Sequence, residues 1–212
     1  MKRIRNAFLL TAVLLAPAAL AVPASAVVRM AESQDGAANT LVPHDAGSPS
    51  QEHIKELFFD AARSGRDDLL GGLIQSGMDP DERDPRGYTA LILAAYNGKG
   101  ATVDFLIQKG ANPCATDAKG SSSLMGVAFK GETEIAQRLI AAGCDVNARN
   151  NAGQTALMMA SMFGQFEVVK LLLKSAANPT LQDNAGNTAT ILAQQQSNPQ
   201  MVALLTRVAK GQ

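Results

Sequence analysis

One fixed spacing recurs through most of this chain and limits what the chain can fold into. Three kinds of position keep that spacing, namely a glycine at Gly87, Gly120, Gly153 and Gly186, a second glycine at Gly65, Gly98, Gly131 and Gly164, and a leucine at Leu73, Leu106, Leu139, Leu172 and Leu205. Apolar residues follow helical spacing on both sides of the second glycine, so each unit reads as a turn, a helix, a glycine turn and a second helix. A fixed repeat period of about 33 residues predicts a protein made of stacked units.

The residue types at these positions fit the local needs of such a unit. Glycine is favoured where the chain reverses, because a residue without Cβ adopts a positive φ at little cost. Hydroxyl residues are predicted to cap the first helices by accepting from free N–H groups; they are Ser50, Thr89, Ser122, Thr155 and Thr188. One helix pair cannot bury its own apolar face, whereas stacked pairs form a continuous core. The predicted fold is therefore all-α.

The repeated segments, such as NNAGQTALMMASMFGQFEVVKLLLKSAANP from Asn150 to Pro179, closely resemble the ankyrin repeat. The family pattern is D-x-x-G-x-T-P-L-H, followed by A-A-x-x-G-H, a V-V-x-L-L-L stretch and G-A-D/N. The resemblance covers residues 51–209. It implies a solenoid of about five helix-turn-helix units, expected at residues 51–83, 84–116, 117–149, 150–182 and 183–209.

The chain departs from the family pattern at the reversing segments before the first helices, which we call the tips. The family's Pro is replaced by Ala90, Ser123, Ala156 and Ala189, and its His by Ile92, Met125, Met158 and Ile191. In the family that His hydrogen-bonds between turns, so we expect less rigid tips in this protein.

The N-terminal sequence MKRIRNAFLLTAVLLAPAALAVPASA has the features of a bacterial secretory signal peptide. A basic start is followed by an apolar run and by small residues at Ala24 and Ala26, which predicts cleavage after Ala26 and export to the periplasm. Residues 27–50 lack helical or strand periodicity and are expected to form a flexible leader. The alternative is a retained membrane anchor, although the apolar run is shorter than a typical span and contains Pro17. After cleavage we expect no membrane span.

The charge balance argues against a nucleic-acid partner. The chain has 19 basic and 19 acidic residues, and the loss of Lys2, Arg3 and Arg5 with the signal peptide would leave 16 basic and 19 acidic. A faintly acidic protein has no broad basic surface for phosphates.

Catalytic motifs are not evident in the sequence. The two histidines, His44 and His53, belong to no cluster with metal-ligand spacing, and no phosphate loop or Ser-His-Asp arrangement is present. We therefore predict a non-catalytic protein without a cofactor or a bound metal. An enzyme that uses Cys114 or Cys144 is the less favoured alternative.

The interval between the two cysteines is slightly shorter than the repeat period, so they occupy different positions in consecutive units. Neighbouring helices pack about 8–10 Å apart, whereas bridged Cα atoms usually lie within about 6.8 Å. We therefore favour unbridged cysteines, with Cys144 as a small buried residue; a Cys114–Cys144 disulfide would require the turn between them to lean inward.

The resemblance implies that a partner binds the concave face, formed by the tips and by variable residues of the first helices. Mapped onto this chain, those positions give Arg63, Arg86, Tyr88, Tyr96, Lys119, Phe129, Met162 and Phe163. Tyr96, Phe129 and Met162 are one repeat period apart and are expected to line up as an apolar row. Such a row is typical of a protein-binding surface, and the alternative is that these side chains only complete the core.

The leading functional prediction is a periplasmic protein–protein interaction module that binds its partner on the concave face. Exported ankyrin-repeat proteins also include accessory proteins that support a periplasmic catalase or oxidative-stress defence, and proposed immunity proteins for exported toxins. Both remain alternatives, as does a membrane-tethered scaffold.

Overall fold

A computed structural model of the protein describes residues 50–209, which form ten helices arranged as five pairs. The first helices of the pairs are α1 (Gln51–Ser64), α3 (Ala90–Tyr96), α5 (Ser123–Lys130), α7 (Ala156–Met162) and α9 (Ala189–Gln195). The second helices are α2 (Asp67–Gln75), α4 (Gly100–Gln108), α6 (Thr133–Ala141), α8 (Phe166–Lys174) and α10 (Pro199–Ala209). The predicted signal peptide and, apart from Ser50, the predicted leader lie outside the described residues.

The helix pairs stack in two layers. Each first helix packs against the second helix of its own pair, and α1, α3, α5, α7 and α9 contact one another in order. In the second layer, α6 contacts both α4 and α8. The all-α solenoid of about five helix-turn-helix units predicted from the sequence is confirmed.

A continuous core separates the two layers. The leucines that recur at the repeat period are all buried in it; they are Leu73, Leu106, Leu139, Leu172 and Leu205. In the first helices, a small residue of another series with the same period is fully buried at Ala62, Ala95, Ala128 and Ser161. These small side chains let neighbouring first helices approach closely. Burial of each leucine stabilises the fold by roughly 1.5–3 kcal/mol.

The predicted helix caps are present. The hydroxyl oxygens of Thr89, Ser122, Thr155 and Thr188 each accept a hydrogen bond of 3.3 Å from the backbone N–H three residues later. Ser50 caps α1 in the same way, with a distance of 3.2 Å to the nitrogen of His53. Each cap satisfies an N–H group that has no partner within the helix.

The tips are connected by backbone hydrogen bonds although the family's His is replaced. The N–H of Ala118 donates to the carbonyl of Arg86, and the N–H of Asn151 donates to the carbonyl of Lys119. At the family's His position, Met125 is buried and contributes to the core. The apolar replacement at Met125 therefore adds packing beneath the tip. Hydrogen bonds between tips are made by the backbone and also by side chains, since the side-chain amide of Asn151 donates to the carbonyl of Ala118.

The structure joins Cys114 and Cys144 by a disulfide, with the Cα atoms 5.2 Å apart. This differs from the unbridged arrangement favoured by the sequence argument, which used the distance between helices. The cysteines lie in the turns that follow α4 and α6, where the chain of one unit approaches the chain of the next more closely than the helices do. Cys144 is buried, as predicted.

Candidate functional site

A groove of about 670 Å³ lies on the concave face, between the tips and the first helices. Most of its lining comes from α3, α5 and the tips that precede them. Six of the eight residues predicted to bind a partner line it, and they are Arg63, Arg86, Tyr88, Tyr96, Lys119 and Phe129. The structure thus brings together tip residues and helix residues that are distant in sequence.

Three aromatic side chains form a row across three consecutive units. The rings of Tyr96 and Phe129 are stacked, with centroids 6.2 Å apart and planes inclined by 15°. Phe129 and Phe163 meet edge to face, with centroids 4.3 Å apart. Tyr96 is 43% exposed and Phe163 is 46% exposed. We call these residues the aromatic row; its two ends are available to a partner, and Phe129 is half-buried between them.

The third member of this row is Phe163, whereas the repeat period pointed to Met162. The side chain of Met162 is partly buried and packs against the core. Phe163 is the C-cap residue of α7, where the chain leaves the helix, and its ring contacts Phe129. The expected row therefore includes Tyr96 and Phe129, but Met162 belongs to the alternative interpretation, in which the side chain completes the core.

The floor of the groove is apolar and includes a glycine that the sequence analysis did not single out. From the second unit onward, one series at the repeat period reads Leu93, Gly126, Met159 and Leu192, and its first three members line the groove. A Cβ atom on Gly126 would lie 3.5 Å from Cδ2 of Tyr96. The only sequence signal for this feature was the missing side chain in an otherwise apolar series.

The rim of the groove is rich in cations. Arg63, Arg86 and Lys119 line it together with a single carboxylate, Asp117. Oδ1 of Asp117 accepts hydrogen bonds from two backbone N–H groups of its own tip. The guanidinium of Arg86 also lies over the ring of Tyr88, with 4.9 Å between its carbon and the ring centroid. The rim therefore presents positively charged groups beside aromatic surface.

A further cation lies at the aromatic row. The Nζ atom of Lys130 is 5.2 Å from the ring centroid of Tyr96. Contacts of this kind stabilise by about 0.5–1 kcal/mol at exposed sites. Lys130 thus adds to the positive charge near the groove.

The described residues offer little that points to catalysis. Between Ser50 and Ala209, no group of three His, Cys, Asp or Glu side chains is placed to hold a metal ion. Both cysteine sulfurs are joined in the disulfide, so neither is a thiolate nucleophile in this structure. No helix in that part of the chain is long and apolar enough to cross a membrane.

Comparison with known proteins agrees with the architecture. Three overlapping segments, residues 30–117, 58–150 and 124–211, match the family model for ankyrin repeats in three copies. A search of curated proteins found no match. Together the matched segments extend over most of the chain and include every helix pair described above. On this evidence, the chain belongs to the ankyrin-repeat family.

Proposed function

We propose that this protein is an exported, non-catalytic binding module that holds a partner protein on its concave face. The observation that carries the proposal is the aromatic row, which leaves Tyr96 and Phe163 exposed on a surface where a solenoid could carry polar residues. Large aromatic side chains dominate the binding energy of protein interfaces because they bury much apolar area with few rotatable bonds.

The ankyrin-repeat family supports both parts of the proposed activity. Its repeats typically bind proteins and do not catalyse reactions. The groove beside the aromatic row contains aromatic, apolar and cationic groups, the residue types that anchor protein interfaces. Neither cysteine is available as a nucleophile while both are in the disulfide.

Export is supported by two features of the chain. Residues 1–26 have the composition of a cleavable signal peptide. A disulfide between Cys114 and Cys144 suits an oxidising compartment such as the bacterial periplasm. We therefore propose a periplasmic location with cleavage after Ala26, which mass measurement of the mature protein and cell fractionation test directly. An intact N-terminus would instead support the membrane-tethered scaffold.

The binding function is tested by affinity capture from an envelope extract of the native organism. The mature protein is compared with a Tyr96→Ser/Phe163→Ser variant, which changes the two exposed ends of the aromatic row. A control variant, Ile191→Ser, removes an exposed apolar side chain from the last unit. Circular dichroism establishes that all three proteins are folded.

We expect a protein that is retained by the wild type and by the control and lost by the aromatic-row variant. Equal retention by all three would contradict binding at the aromatic row. Support of a catalase and immunity to a toxin are both forms of this binding function, and the identity of the captured protein distinguishes them.

A further inference from the structure

The groove has a depression at Gly126 that a general binding role does not explain. At the equivalent positions of three other units, Leu93, Met159 and Leu192 pack into the core or against it, and Leu93 and Leu192 are only 6% and 5% exposed. Gly126 has no side chain to do this, and the atom nearest to the position of its missing Cβ belongs to Tyr96, at 3.5 Å. One unit in the middle of the stack therefore lacks the side chain that its neighbours supply.

The surroundings of the depression are suited to an apolar side chain from another molecule. Ile92 and Met125 lie in the lining next to Gly126, and the rings of Tyr96 and Phe129 lie at the helix ends. A volume of about 670 Å³ admits a large side chain and its flanking backbone. A well-packed apolar anchor in such a pocket is typical of an interface hot spot.

The charges around the depression favour an acidic partner. The lining contains three cations and the carboxylate of Asp117, whose Oδ1 already accepts two backbone hydrogen bonds. No ion pair among the described residues includes Lys119, which is exposed at its tip. Lys130 adds a further positive charge beside Tyr96.

The two arginines of the rim are paired within their own units. Arg63 contacts Asp60 at 2.5 Å, and Arg86 contacts Asp84 at 3.5 Å. Oδ1 of Asp84 accepts hydrogen bonds from the N–H groups of Arg86 and Tyr88, so this carboxylate also serves the tip. The Arg63–Asp60 pair lies at the surface, where ion pairs contribute little stability. In the second pair Asp84 is buried and is held by backbone hydrogen bonds, whereas the Arg86 side chain is exposed. A partner carboxylate can therefore approach either guanidinium without a large cost to the fold.

We infer that the groove recognises an acidic segment of the partner protein, and that this segment presents one large apolar side chain. This inference rests on the proposed function. That side chain occupies the depression at Gly126, and flanking carboxylates lie beside Arg86 and Lys119. The aromatic row then contacts the rest of the segment. Recognition combines an apolar anchor with complementary charge, which sets specificity and association rate.

The inference is tested with a synthetic peptide that has one central Trp between acidic residues. The chain contains no Trp, so the fluorescence of the peptide reports binding to the mature protein directly. Two comparison peptides replace the central Trp by Ser, or the acidic residues by Lys. We expect the acidic Trp peptide to bind most tightly, and its affinity to fall as the salt concentration rises.

Variants of the groove separate the apolar and electrostatic parts. Gly126→Leu introduces the side chain that the preceding unit carries at Leu93 and is expected to weaken binding at least about tenfold. Gly126→Ala adds only a methyl group at ordinary contact distance from Tyr96, so we expect a smaller loss. Lys119→Glu is expected to weaken binding about tenfold at low salt. The matched reversal Lys174→Glu, on the second-helix layer, should leave binding unchanged.

Three outcomes would overturn the inference. These are a folded Gly126→Leu variant that binds as tightly as the wild type, a Lys-flanked peptide that binds as tightly as the acidic one, or no binding of the acidic Trp peptide at about 1 mM. If Gly126→Leu does not fold, Gly126→Ala and Lys119→Glu decide the question. Capture of the native partner by Gly126→Leu, with loss by the aromatic-row variant, would refute the groove inference and leave the proposed function intact.

Discussion

The disulfide between Cys114 and Cys144 joins the turns that follow two consecutive second helices. A hydrogen bond between Asp81 and Asn112 joins the preceding pair of turns in a similar way. Oδ1 of Asp81 accepts from the N–H of Asn112 at 2.9 Å, and Oδ1 of Asn147 accepts from the N–H of the next unit's turn at 2.8 Å. Asp81, Cys114 and Asn147 occupy the same position in consecutive units. The disulfide therefore joins neighbouring turns at almost the same place as these hydrogen bonds, with Cys144 one residue before the position equivalent to Asn112.

Removal of this disulfide is expected to lower the free energy of unfolding. The bond closes a loop between residues that are 30 apart in sequence, and a constraint of that length stabilises a fold by about 2–4 kcal/mol. A Cys114→Ala/Cys144→Ala variant should unfold at a lower urea concentration than the oxidised wild type. Reductant should shift the wild type toward the variant and leave the variant unchanged. Equal midpoints for the two oxidised proteins would contradict the prediction.

The neighbouring units provide a matched replacement for the disulfide. Position 114 is equivalent to Asn147, and position 144 is equivalent to Ala111 and Ala177. A Cys114→Asn/Cys144→Ala variant can form the hydrogen bond seen at Asn147. We expect it to be more stable than the double alanine variant by about 1 kcal/mol, the net value of a typical hydrogen bond.

Leu139 tests the core between the two layers. It is fully buried, and its truncation to Ala should cost about 2–5 kcal/mol because a cavity remains in the stack. Gln137→Ala changes an exposed residue of the same helix and should shift stability by less than about 0.5 kcal/mol. Urea unfolding followed by circular dichroism measures both. If Leu139→Ala lowers stability as little as Gln137→Ala does, Leu139 does not lie in the core between the two helix layers.

The repeated features of the fold were predictable because each follows from a local requirement that recurs in every unit. The hydroxyl of Thr89 caps a helix, Gly131 adopts a positive φ, and Leu139 is buried, all as the sequence indicated. Such positions depend on nearby backbone and on one packing layer. A single spacing therefore carries most of the information about the architecture.

The features that the sequence did not predict are of two kinds. Some are residues that break the repeated pattern, and others depend on distances between side chains or turns of different units. Gly126 is visible in the sequence only as a missing apolar side chain. Phe163 replaces Met162 in the aromatic row because the direction of a side chain at a helix end does not follow the helical spacing. The disulfide depends on how closely consecutive turns approach, which helix spacing does not describe.

Gly131 ends α5 with a φ of 84°, which disfavours any residue with a Cβ atom. A Cβ atom there would also crowd Gln165, whose side-chain amide donates to the carbonyl of Phe129. We therefore expect Gly131→Val to lower the free energy of unfolding by about 1–3 kcal/mol. The last unit has Ser197 at the equivalent position with a φ of 53°. Ser197→Gly should raise stability, and an unchanged melting midpoint for Gly131→Val would contradict the turn assignment.

Asp183 is expected to make the stability of the last unit's tip depend on pH. Partial burial acts to raise the pKa of this carboxyl, but hydrogen bonds from Asn187 and Ala185 and the charge of Arg149 outweigh it, so the pKa lies below its ordinary value of 3.8. A lowered pKa in the folded state means that the native protein binds fewer protons than the unfolded chain. The stabilisation is therefore complete above the unfolded pKa, and it is lost as the pH falls through the folded pKa.

Asp183→Asn is expected to remove this dependence while keeping the tip. The third tip carries Asn150 at the equivalent position, and its side-chain oxygen accepts hydrogen bonds from the N–H groups of Ala152 and Gln154. At neutral pH the variant should be less stable than the wild type, because a carboxylate accepts stronger hydrogen bonds than an amide. That difference should begin to shrink below about pH 4, where the carboxyl of the unfolded chain becomes protonated, and it should be lost as the pH falls through the lower pKa of the folded state. The reverse variant, Asn150→Asp, should become more sensitive to acid than the wild type. Urea midpoints measured between about pH 2 and pH 7 test both changes. If the difference in stability between wild type and Asp183→Asn stays constant over this range, the charge of Asp183 does not stabilise the tip.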